Sequence, residues 1–491
     1  MSQQVILRIL SRMCQFMAAV LLVPAAIGFA YGESDAPAYL ATAAAALLVS
    51  GIVYLPSRGH RGPIERFSRR EGFASVVLAW ATMIAFGAIP YWITGSIPHL
   101  ADSIFESASG FSTTGATILT DIEALSHAHL FHRSLSHWVG GMGIIVLSVA
   151  ILPELSVGGM QLFSAEASGL SPEKLAPRIV STARKLWQCY VGMTVALFAL
   201  LLAGGMDLFD ASTHAFGTIA TGGFSTRNAS IAAFDSLFIE SVITFFMLAS
   251  GISFALTYRL FIRRDPSPVL KSVEVRVYLA IFLTFTAAIT ASLFNSGAYE
   301  SVGGALRVAS FQTASIITTT GYGTADFNVW PDFCRYLLVL LMFLGGCAGS
   351  TAGGVKVVRL IIVAKHSSVE LKKLLYPTLV HPVTLGRRAV SQATIQGILG
   401  FFLLYIGTTV VATTLVLATG VDLVTGVTAV ISAMNSIGPG LNLVGPATNF
   451  AQLPDSSKLI LSICMVVGRL EIYTIFVLFT QAFWRTRPAA N

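Results

Sequence analysis

Four short stretches of the chain offer oxygen atoms as ligands and carry no charged side chain. The third reads TTTGYG (Thr318 to Gly323), and the others read STTGAT (Ser112 to Thr117), IATGGF (Ile219 to Phe224) and NSIGPG (Asn435 to Gly440). A ring of carbonyl oxygens can replace the hydration shell of a monovalent cation, and glycine permits backbone geometry that turns carbonyls toward an axis. The predicted cation ligands are Thr113, Thr114, Gly115, Ala220, Thr221, Gly222, Thr319, Thr320, Gly321, Ser436, Ile437 and Gly438.

The four stretches recur at a nearly constant interval. Their shared glycines, taken as Gly115, Gly222, Gly321 and Gly438, are separated by about a hundred residues, which indicates four copies of one unit. Each unit holds an apolar run, a short mixed segment that ends at the glycine, and a second apolar run. The pattern predicts a spanning helix, a short re-entrant helix, a glycine loop and a second spanning helix, four times over.

Sequence details locate the elements within each unit. Asp102, Asp210 and Asp422 open three of the short segments and are predicted to be N-caps of short helices. The second apolar runs are predicted as spanning helices at 136–153, 236–262, 334–363 and 457–484.

The composition identifies a membrane protein. Of the 491 residues 54% are hydrophobic and 11% are charged, the mean hydropathy is +0.74, and apolar runs near the length of a membrane span recur throughout. The predicted fold is all-α, with about ten spanning helices and four re-entrant pore helices in pseudo-fourfold symmetry. The predicted domains are two N-terminal helices at 1–56 and four repeats at 57–180, 181–270, 271–385 and 386–491.

The positive charges lie mostly on one side of this topology. Although the pI is about 9.2, most of the 31 Lys and Arg fall in alternate loops, which is the positive-inside pattern of a protein in a lipid bilayer and not that of a nucleic-acid binder. Both termini are therefore predicted to be cytoplasmic. Arg133, Arg227, Arg307, Arg335 and Lys458 are assigned to the outer side.

Irregular backbone at membrane depth requires a protein environment or a water-filled cavity. A single glycine motif reads as a surface turn, but four copies after segments too short to span the membrane favour four loops around one axis. The short helices would then point their C-termini, each carrying roughly −0.5 charge, at the inner end of the ring.

These motifs resemble a known family. TTTGYG resembles the filter of potassium channels, and four non-identical copies in one chain with GRLEIYT (Gly468 to Thr474) resemble the membrane subunit of the Trk/Ktr/HKT potassium transporters, in its bacterial TrkH type with two extra N-terminal helices. The resemblance covers nearly the whole chain. Glycine at the first copy, Gly115, favours potassium in that family, while Ser436-Ile437-Gly438-Pro439 departs furthest from the channel pattern.

The resemblance implies a potassium uptake protein of the bacterial inner membrane, which is not an enzyme and carries potassium as the transported ion with no bound cofactor. It also implies a homodimer and a cytosolic nucleotide-binding regulatory subunit of the TrkA type. An alternative function is a less selective potassium and sodium channel or a cation symporter of the same architecture. The residues leave open whether flow is passive or coupled to protons or sodium.

A glycine-rich segment, GGCAGSTAGG, interrupts the second apolar run of the third unit. Two interpretations remain equal on the residues alone: close helix packing through a GxxxGxxxG spacing, or a broken helix whose loop enters the pore, since each glycine costs roughly 1 kcal/mol of helix propensity. The family resemblance implies a gate below the filter. The gate candidates are Gly345, Gly346, Gly349, Gly353, Gly354 and Arg469.

Arg469 lies inside the apolar run from Leu459 to Phe483. A charge at the centre of a membrane span is costly, so its side chain should face water or a partner. Glu471 is a poor partner on a continuous helix because residues two apart point to different faces. The sequence therefore favours an arginine that lines the pore, with a buried structural role as the alternative.

Two weaker patterns point to other classes of protein. The histidines His127, His129, His132 and His137 resemble a metal cluster but lack matching carboxylates. Ser109, in the ASG at 108–110, with His137 nearby faintly resembles an intramembrane serine protease, which would not explain a fourfold repeat. A receptor or assembly protein is a further alternative.

The topology yields the first testable prediction. Cysteines introduced near Glu33, Ala124 and Asn328 should react with an impermeant thiol reagent added outside intact cells, whereas those near His60 and Lys373 should react only after permeabilisation, because the basic loops face the cytoplasm. Labelling of the Lys373 position from outside would contradict both the orientation and the repeat.

Overall fold

The computed structural model describes residues 3–57, 69–150, 175–386 and 388–485, and this part of the chain is mostly helical. The predicted basic segment at 58–68 and the end of the first unit at 151–174 lie outside the described residues. Two helices, α1 (Gln3–Tyr31) and α2 (Ala36–Tyr54), form an N-terminal hairpin that precedes the four units, as predicted.

The remaining helices follow the order of the predicted units. Unit 1 contains α3 (Arg69–Thr94), α4 (Leu100–Phe111) and α5 (His127–Ala150), and unit 2 contains α6 (Leu175–Ala203), α7 (Leu208–Ile219), α8 (Leu237–Ser250) and α9 (Phe254–Phe261). The short helix α10 (Ser267–Lys271) connects unit 2 to unit 3, which contains α11 (Val273–Asn295), α12 (Val302–Ile317), α13 (Asp332–Met342) and α14 (Val357–Leu375). Unit 4 contains α15 (Gln392–Leu417), α16 (Leu423–Asn435), α17 (Asp455–Arg469), α18 (Ile472–Phe476) and α19 (Gln481–Trp484). Short 3-10 turns lie at Leu55–Ser57, Ser230–Phe234, Phe327–Val329, Asn442–Val444 and Val477–Phe479, and a hairpin pairs β1 (Thr384–Leu385) with β2 (Arg388–Ala389).

Six helices in the described part of the chain are long and apolar enough to cross a membrane: α1, α2, and the first helix of each unit, α3, α6, α11 and α15. Two bent pairs, α8 with α9 and α17 with α18, raise the number to eight. Helix α15 exposes Leu399, Leu403, Ile406 and Val410 at intervals of three and four residues. This continuous apolar stripe is suited to contact with lipid.

The four short helices are too short to span a membrane. Helices α4, α7, α12 and α16 have 12 to 16 residues, or about 18–24 Å at 1.5 Å per residue, against a hydrocarbon layer of about 30 Å. We refer to them as the pore helices.

The N-cap predictions are only partly correct. Asp422 is the N-cap of α16 and accepts a hydrogen bond from the Thr425 N–H at 3.0 Å. This bond and one from the Thr425 hydroxyl lower the pKa of Asp422. The N-caps of α4 and α7 are instead His99 and Asp207. Asp102 and Asp210 lie in the first turn, where a carboxylate interacts favourably with the helix dipole.

The second apolar runs differ from the predicted continuous helices. In the part of the chain that the structure describes, only unit 1 has an unbroken second helix, α5, which ends at Ala150. Helices α8 and α9 meet at 115°, α17 and α18 meet at 108°, and α13 is separated from α14 by an irregular loop at 343–356. The predictions of continuous helices over 236–262 and 457–484 were therefore wrong, because the breaks are stabilised by partners that lie far away in the sequence.

Ion pairs connect neighbouring units around the molecule. Lys458 on α17 contacts Asp102 on α4 at 2.6 Å, and Arg307 on α12 contacts Glu240 on α8 at 2.7 Å. Each pair joins one pore helix to the second helix of the preceding unit. The pore helix provides the acid in the first pair and the base in the second. Two of the four junctions between units, that of unit 4 with unit 1 and that of unit 2 with unit 3, are thereby linked by an ion pair.

Candidate functional site

Each pore helix ends in the same backbone turn. Thr113, Thr221, Thr319 and Ser436 follow the four helices with left-handed φ angles of 54°, 55°, 56° and 55°. In each turn the N–H of the next residue bonds a carbonyl five positions earlier, as in Thr114 to Ser109 at 2.9 Å. This is the Schellman motif, which satisfies the last carbonyls of a helix.

A glycine with positive φ follows two residues after each turn. These glycines are Gly115 (80°), Gly223 (84°), Gly321 (85°) and Gly438 (107°). The structure therefore corrects the predicted alignment of the second unit by one residue: Gly223, and not Gly222, is equivalent to Gly115. Thr221 and Gly222 are then equivalent to Thr113 and Thr114, and Ala220 is the residue before them.

The four strands that carry these glycines close into a ring. A Cβ atom added to any of these glycines would meet a carbonyl oxygen of the next strand. The distance from the added Cβ to that oxygen is 2.1 Å from Gly115 to Gly222, 2.0 Å from Gly223 to Thr320, 1.9 Å from Gly321 to Ile437 and 2.9 Å from Gly438 to Thr114. Any side chain at these positions would force neighbouring strands apart. The absence of a Cβ is what permits the backbones to approach this closely.

An open cavity of about 160 Å³ lies against the ring, and all four glycines line it. Its wall is formed by the loops that follow the strands, including residues 116–122, 223–230 and 445–450. At the other end of the strands, the Thr113 and Ser436 hydroxyl groups have no hydrogen-bond partner among the described residues. The ring therefore lies between an open cavity and buried hydroxyl groups at the ends of the pore helices.

The glycine-rich loop, residues 343–356, lies beneath the ring and is not helical. Its Gly353 N–H donates to the Thr319 hydroxyl at 2.7 Å, and the Thr351 hydroxyl donates to the Ile219 carbonyl at 3.1 Å. A Cβ atom at Gly353 would lie 2.2 Å from the Asn435 carbonyl oxygen. Of the two interpretations of this segment, the broken helix is the correct one.

The other glycines of the segment also permit close contacts. A Cβ atom at Gly345 would lie 2.1 Å from the Gly353 carbonyl, and one at Gly346 would lie 2.6 Å from the Gly251 carbonyl. Gly349 and Gly354 have left-handed φ angles of 76° and 67°. The segment folds back on itself because these positions carry no side chain.

Arg469 is the last residue of α17 and is buried beneath the ring, with 3% of its surface exposed. Its guanidinium donates to the Thr351 carbonyl at 2.7 Å and to the Gly140 carbonyl at 3.3 Å. It therefore connects the glycine-rich loop to α5 of unit 1. Glu471, which lies at the break between α17 and α18, pairs with Arg359 on α14.

Comparisons with known proteins agree with this architecture. Residues 37–486 match the model of the TrkH family, described as cation transport protein. The Trk system potassium uptake protein TrkH of Salmonella typhimurium is 41% identical and that of Escherichia coli K12 is 40% identical, each over 98% of this chain and 99% of its own length. The crystal structure of the potassium transporter TrkH from Vibrio parahaemolyticus matches with a TM-score of 0.90 at 36% identity, covering 99% of this chain and 100% of its own.

The chain belongs to the TrkH family. Membership makes it a multi-pass membrane transport protein and not an enzyme, so that the protease hypothesis is wrong. Membership of a transport family also argues against the alternative of a receptor or an assembly protein.

The four histidines do not form a metal site in this TrkH-family protein. No group of three or more His, Cys, Asp or Glu in the described part of the chain could hold a metal ion. Their partners differ: His127 contacts Glu33 at 2.9 Å, His129 contacts Thr94 at 2.9 Å, His132 contacts the Gly87 carbonyl at 3.2 Å, and His137 stacks on Phe224 at 4.2 Å.

A buried ion pair behind the ring escaped the sequence analysis. Arg133, assigned to the outer side by its place in the predicted topology, is 1% exposed and donates to Glu106 at 2.8 Å. Its guanidinium also donates to the Ser225 carbonyl at 3.1 Å and lies 4.0 Å from the centre of the Phe224 ring. The pair links pore helix α4 to the strand of unit 2. Its sequence signal is a second acid, Glu106, in the middle of a short helix whose other acid, Asp102, lies in the first turn.

Gly140 on α5 is required for the approach of this helix to the end of α4. A Cβ atom there would lie 1.8 Å from the Phe111 carbonyl oxygen, which belongs to the last turn of α4. We expect Gly140→Ala to lower the thermal stability of the purified protein by several degrees, since overpacking costs about 1–3 kcal/mol.

Gly143→Ala on the same helix is the matched control, because the nearest atom to its added Cβ is 3.8 Å away on Trp80. Replacing a helical glycine by alanine is favourable by roughly 0.5–1 kcal/mol, so this variant should melt at or slightly above the wild-type temperature. Equal melting temperatures for the two variants would contradict the close contact between α5 and α4.

Proposed function

We propose that this protein is the membrane subunit of a potassium uptake system and that potassium passes through the ring of four glycine-containing strands. The observation that carries the proposal is the closure of that ring, in which each glycine lies against a carbonyl of the next strand. Backbone carbonyl oxygens arranged in a ring can replace the water around a monovalent cation. The names of the relatives, which are potassium uptake proteins, support potassium as the ion.

The ligands proposed for the ion are the residues of the four turns and strands. With the corrected alignment of unit 2, they are Thr113, Thr114, Gly115, Thr221, Gly222, Gly223, Thr319, Thr320, Gly321, Ser436, Ile437 and Gly438. The strands are not identical, since Gly222 and Ile437 stand where the other strands have a threonine. This difference is the reason to retain a less selective potassium and sodium pathway as a second candidate.

The setting of the proposed subunit follows from the family and the charge distribution. We place it in the bacterial inner membrane with about ten spans and both termini in the cytoplasm, because basic residues concentrate in the loops assigned to that side. The name Trk system, carried by the relatives, supports a membrane transport complex, and the partner that we propose is a cytosolic nucleotide-binding subunit of the TrkA type. A homodimer of the membrane subunit completes the proposal.

The proposed gate consists of the glycine-rich loop and Arg469. The loop lies directly below the ring, where Gly353 contacts Thr319 and Thr351 contacts Ile219. Arg469 holds the loop through the Thr351 carbonyl and places a positive charge below the ring. In a narrow passage of low dielectric such a charge repels a cation with little screening.

Ion flux into proteoliposomes tests the filter, with potassium, sodium and proton gradients set independently. Gly321→Ser should reduce the preference for potassium over sodium more than Gly438→Ser, because its added Cβ would lie 1.9 Å from the Ile437 carbonyl, while that of Gly438 would lie 2.9 Å from the Thr114 carbonyl.

Gly323→Ser is the matched control for the filter. This glycine follows in the same strand, and the nearest atoms to its added Cβ are 3.9 Å away, so its selectivity should remain that of the wild type. A wild-type protein that carries no potassium would contradict the function. Unchanged selectivity in both Gly321→Ser and Gly438→Ser would contradict a backbone filter.

Substitution of Arg469 tests the proposed charge barrier. Arg469→Ala should raise the flux and leave selectivity unchanged, and Arg469→Lys should retain most of the barrier because the charge persists. Flux and the yield of monodisperse protein should be measured together. Low yield for both variants would support the alternative, a structural arginine whose removal leaves buried groups unpaired, and a well-folded alanine variant with wild-type flux would contradict the barrier.

A further inference from the structure

The glycine-rich loop has two parts that differ in their contacts. Its base consists of two arms, residues 344–349 and residues 355–358, and the second arm continues into the first turn of α14. The two arms pair through a parallel bridge between Leu344 and Val355 and a hydrogen bond from the Gly345 N–H to the Val355 carbonyl at 2.7 Å. Its tip, residues 350–353, reaches the underside of the ring.

Glu274 joins the two arms of the base. This residue lies in the first turn of α11, and 8% of its surface is exposed. A single carboxylate oxygen, Oε1, accepts the Ala348 N–H of the first arm at 2.8 Å and the Val358 N–H of the second arm at 3.2 Å. The other carboxylate oxygen has no part in this connection.

The break in the second helix of unit 2 holds the base from another direction. The Cys347 N–H donates to the Gly251 carbonyl at 2.7 Å, and the Phe254 N–H donates to the Gly349 carbonyl at 3.0 Å. Gly251 lies at the end of α8 and Phe254 begins α9. The base is therefore bound to two separate units through its backbone.

The tip depends on contacts of a different kind. Thr351 and Gly353 are held by the Ile219 carbonyl, the Thr319 hydroxyl and the Arg469 guanidinium, and the Lys356 ammonium donates to the Ala352 carbonyl. Each of these hydrogen bonds involves a side chain, which can leave its partner by a change of rotamer. The base is held instead by backbone-to-backbone hydrogen bonds to Gly251 and Phe254 and by Glu274 on both arms. The tip is the part that can be released with the base in place.

We propose that Glu274 is a positioning residue that pins both arms of the loop to α11, so that opening and closing are confined to the tip. The inference rests on the gating role proposed above and adds the residue that keeps the closed loop beneath the ring. Glu274 does not contact the ion pathway. It acts through the backbone of Ala348 and Val358.

Two substitutions separate hydrogen bonding from charge at this position. Glu274→Gln retains an amide oxygen that can accept both N–H groups, whereas Glu274→Ala removes the acceptor. In proteoliposomes without a regulatory partner, loss of both bonds should raise the resting potassium flux of Glu274→Ala by roughly tenfold or more, with the potassium to sodium ratio unchanged. Glu274→Gln should stay within about twofold of the wild type, because the same acceptor position is filled. Arg276→Ala is the control for a lost charge on the same helix, since its side chain is exposed.

The native Cys347 provides a second measurement that does not depend on flux. It is fully buried in the base of the loop, and replacing Cys14, Cys189, Cys334 and Cys464 by serine leaves it as the single thiol. A small methanethiosulfonate reagent should label Cys347 roughly tenfold faster in Glu274→Ala than in the wild type, because the arm that carries it is released. Glu274→Gln and Arg276→Ala should be labelled at the wild-type rate.

The outcomes distinguish this inference from the proposed function. Wild-type potassium flux and a wild-type labelling rate in Glu274→Ala would contradict the proposed role of Glu274. Equal increases of flux and labelling rate in Glu274→Gln and Glu274→Ala would also contradict it, because they would assign the effect to the charge and not to the hydrogen bonds. If the wild type carries no potassium, or if deletion of residues 351–353 leaves flux unchanged, the pore or the gate fails. The labelling of Cys347 still decides whether Glu274 holds the base in that case.

Discussion

Backbone polar groups that leave a helix within the hydrocarbon layer must find partners inside the protein. The four pore helices meet this requirement with the same left-handed turn, whose hydrogen bonds satisfy the last carbonyls of each helix. Threonine or serine occupies the left-handed position in all four turns, where glycine is usual. Each turn thus ends a helix at membrane depth and places a hydroxyl group at the start of the strand that enters the ring.

The ring depends on neighbours as much as on its own residues. Each glycine approaches the backbone of the next strand, so the position of one strand is set by the other three. Arg133 and Glu106 extend this dependence behind the ring, because Arg133 also contacts the Ser225 carbonyl and the Phe224 ring of unit 2. Removing one member of such a buried pair leaves an uncompensated charge, so the pair constrains both strands together.

The four units are alike at the ring and differ below it. Within the described residues, unit 1 has a single continuous second helix, while the second helices of units 2 and 4 bend by more than 100° and that of unit 3 is interrupted by the glycine-rich loop. The broken segments bind one another. The Gly251 carbonyl at the break in unit 2 accepts the Cys347 N–H of the loop, and Glu471 at the break in unit 4 pairs with Arg359, which follows the loop. Four units that share one sequence pattern thereby differ in structure on the side of the ring where the glycine-rich loop lies.

The sequence by itself determined the membrane class, the four units, the short helices and the glycine-rich interruption, because apolar run length and glycine spacing are local properties. It could not decide between Gly222 and Gly223, since both are glycines. Only the fold assigns Gly223 to the Thr320 carbonyl and Gly222 to the space beside the His137 ring. It also could not reveal the helix breaks of units 2 and 4 or the contacts of Glu274, because hydropathy records how apolar a segment is and not whether a distant residue will accept its backbone N–H groups. Those partners are brought together only when the units pack around a common axis.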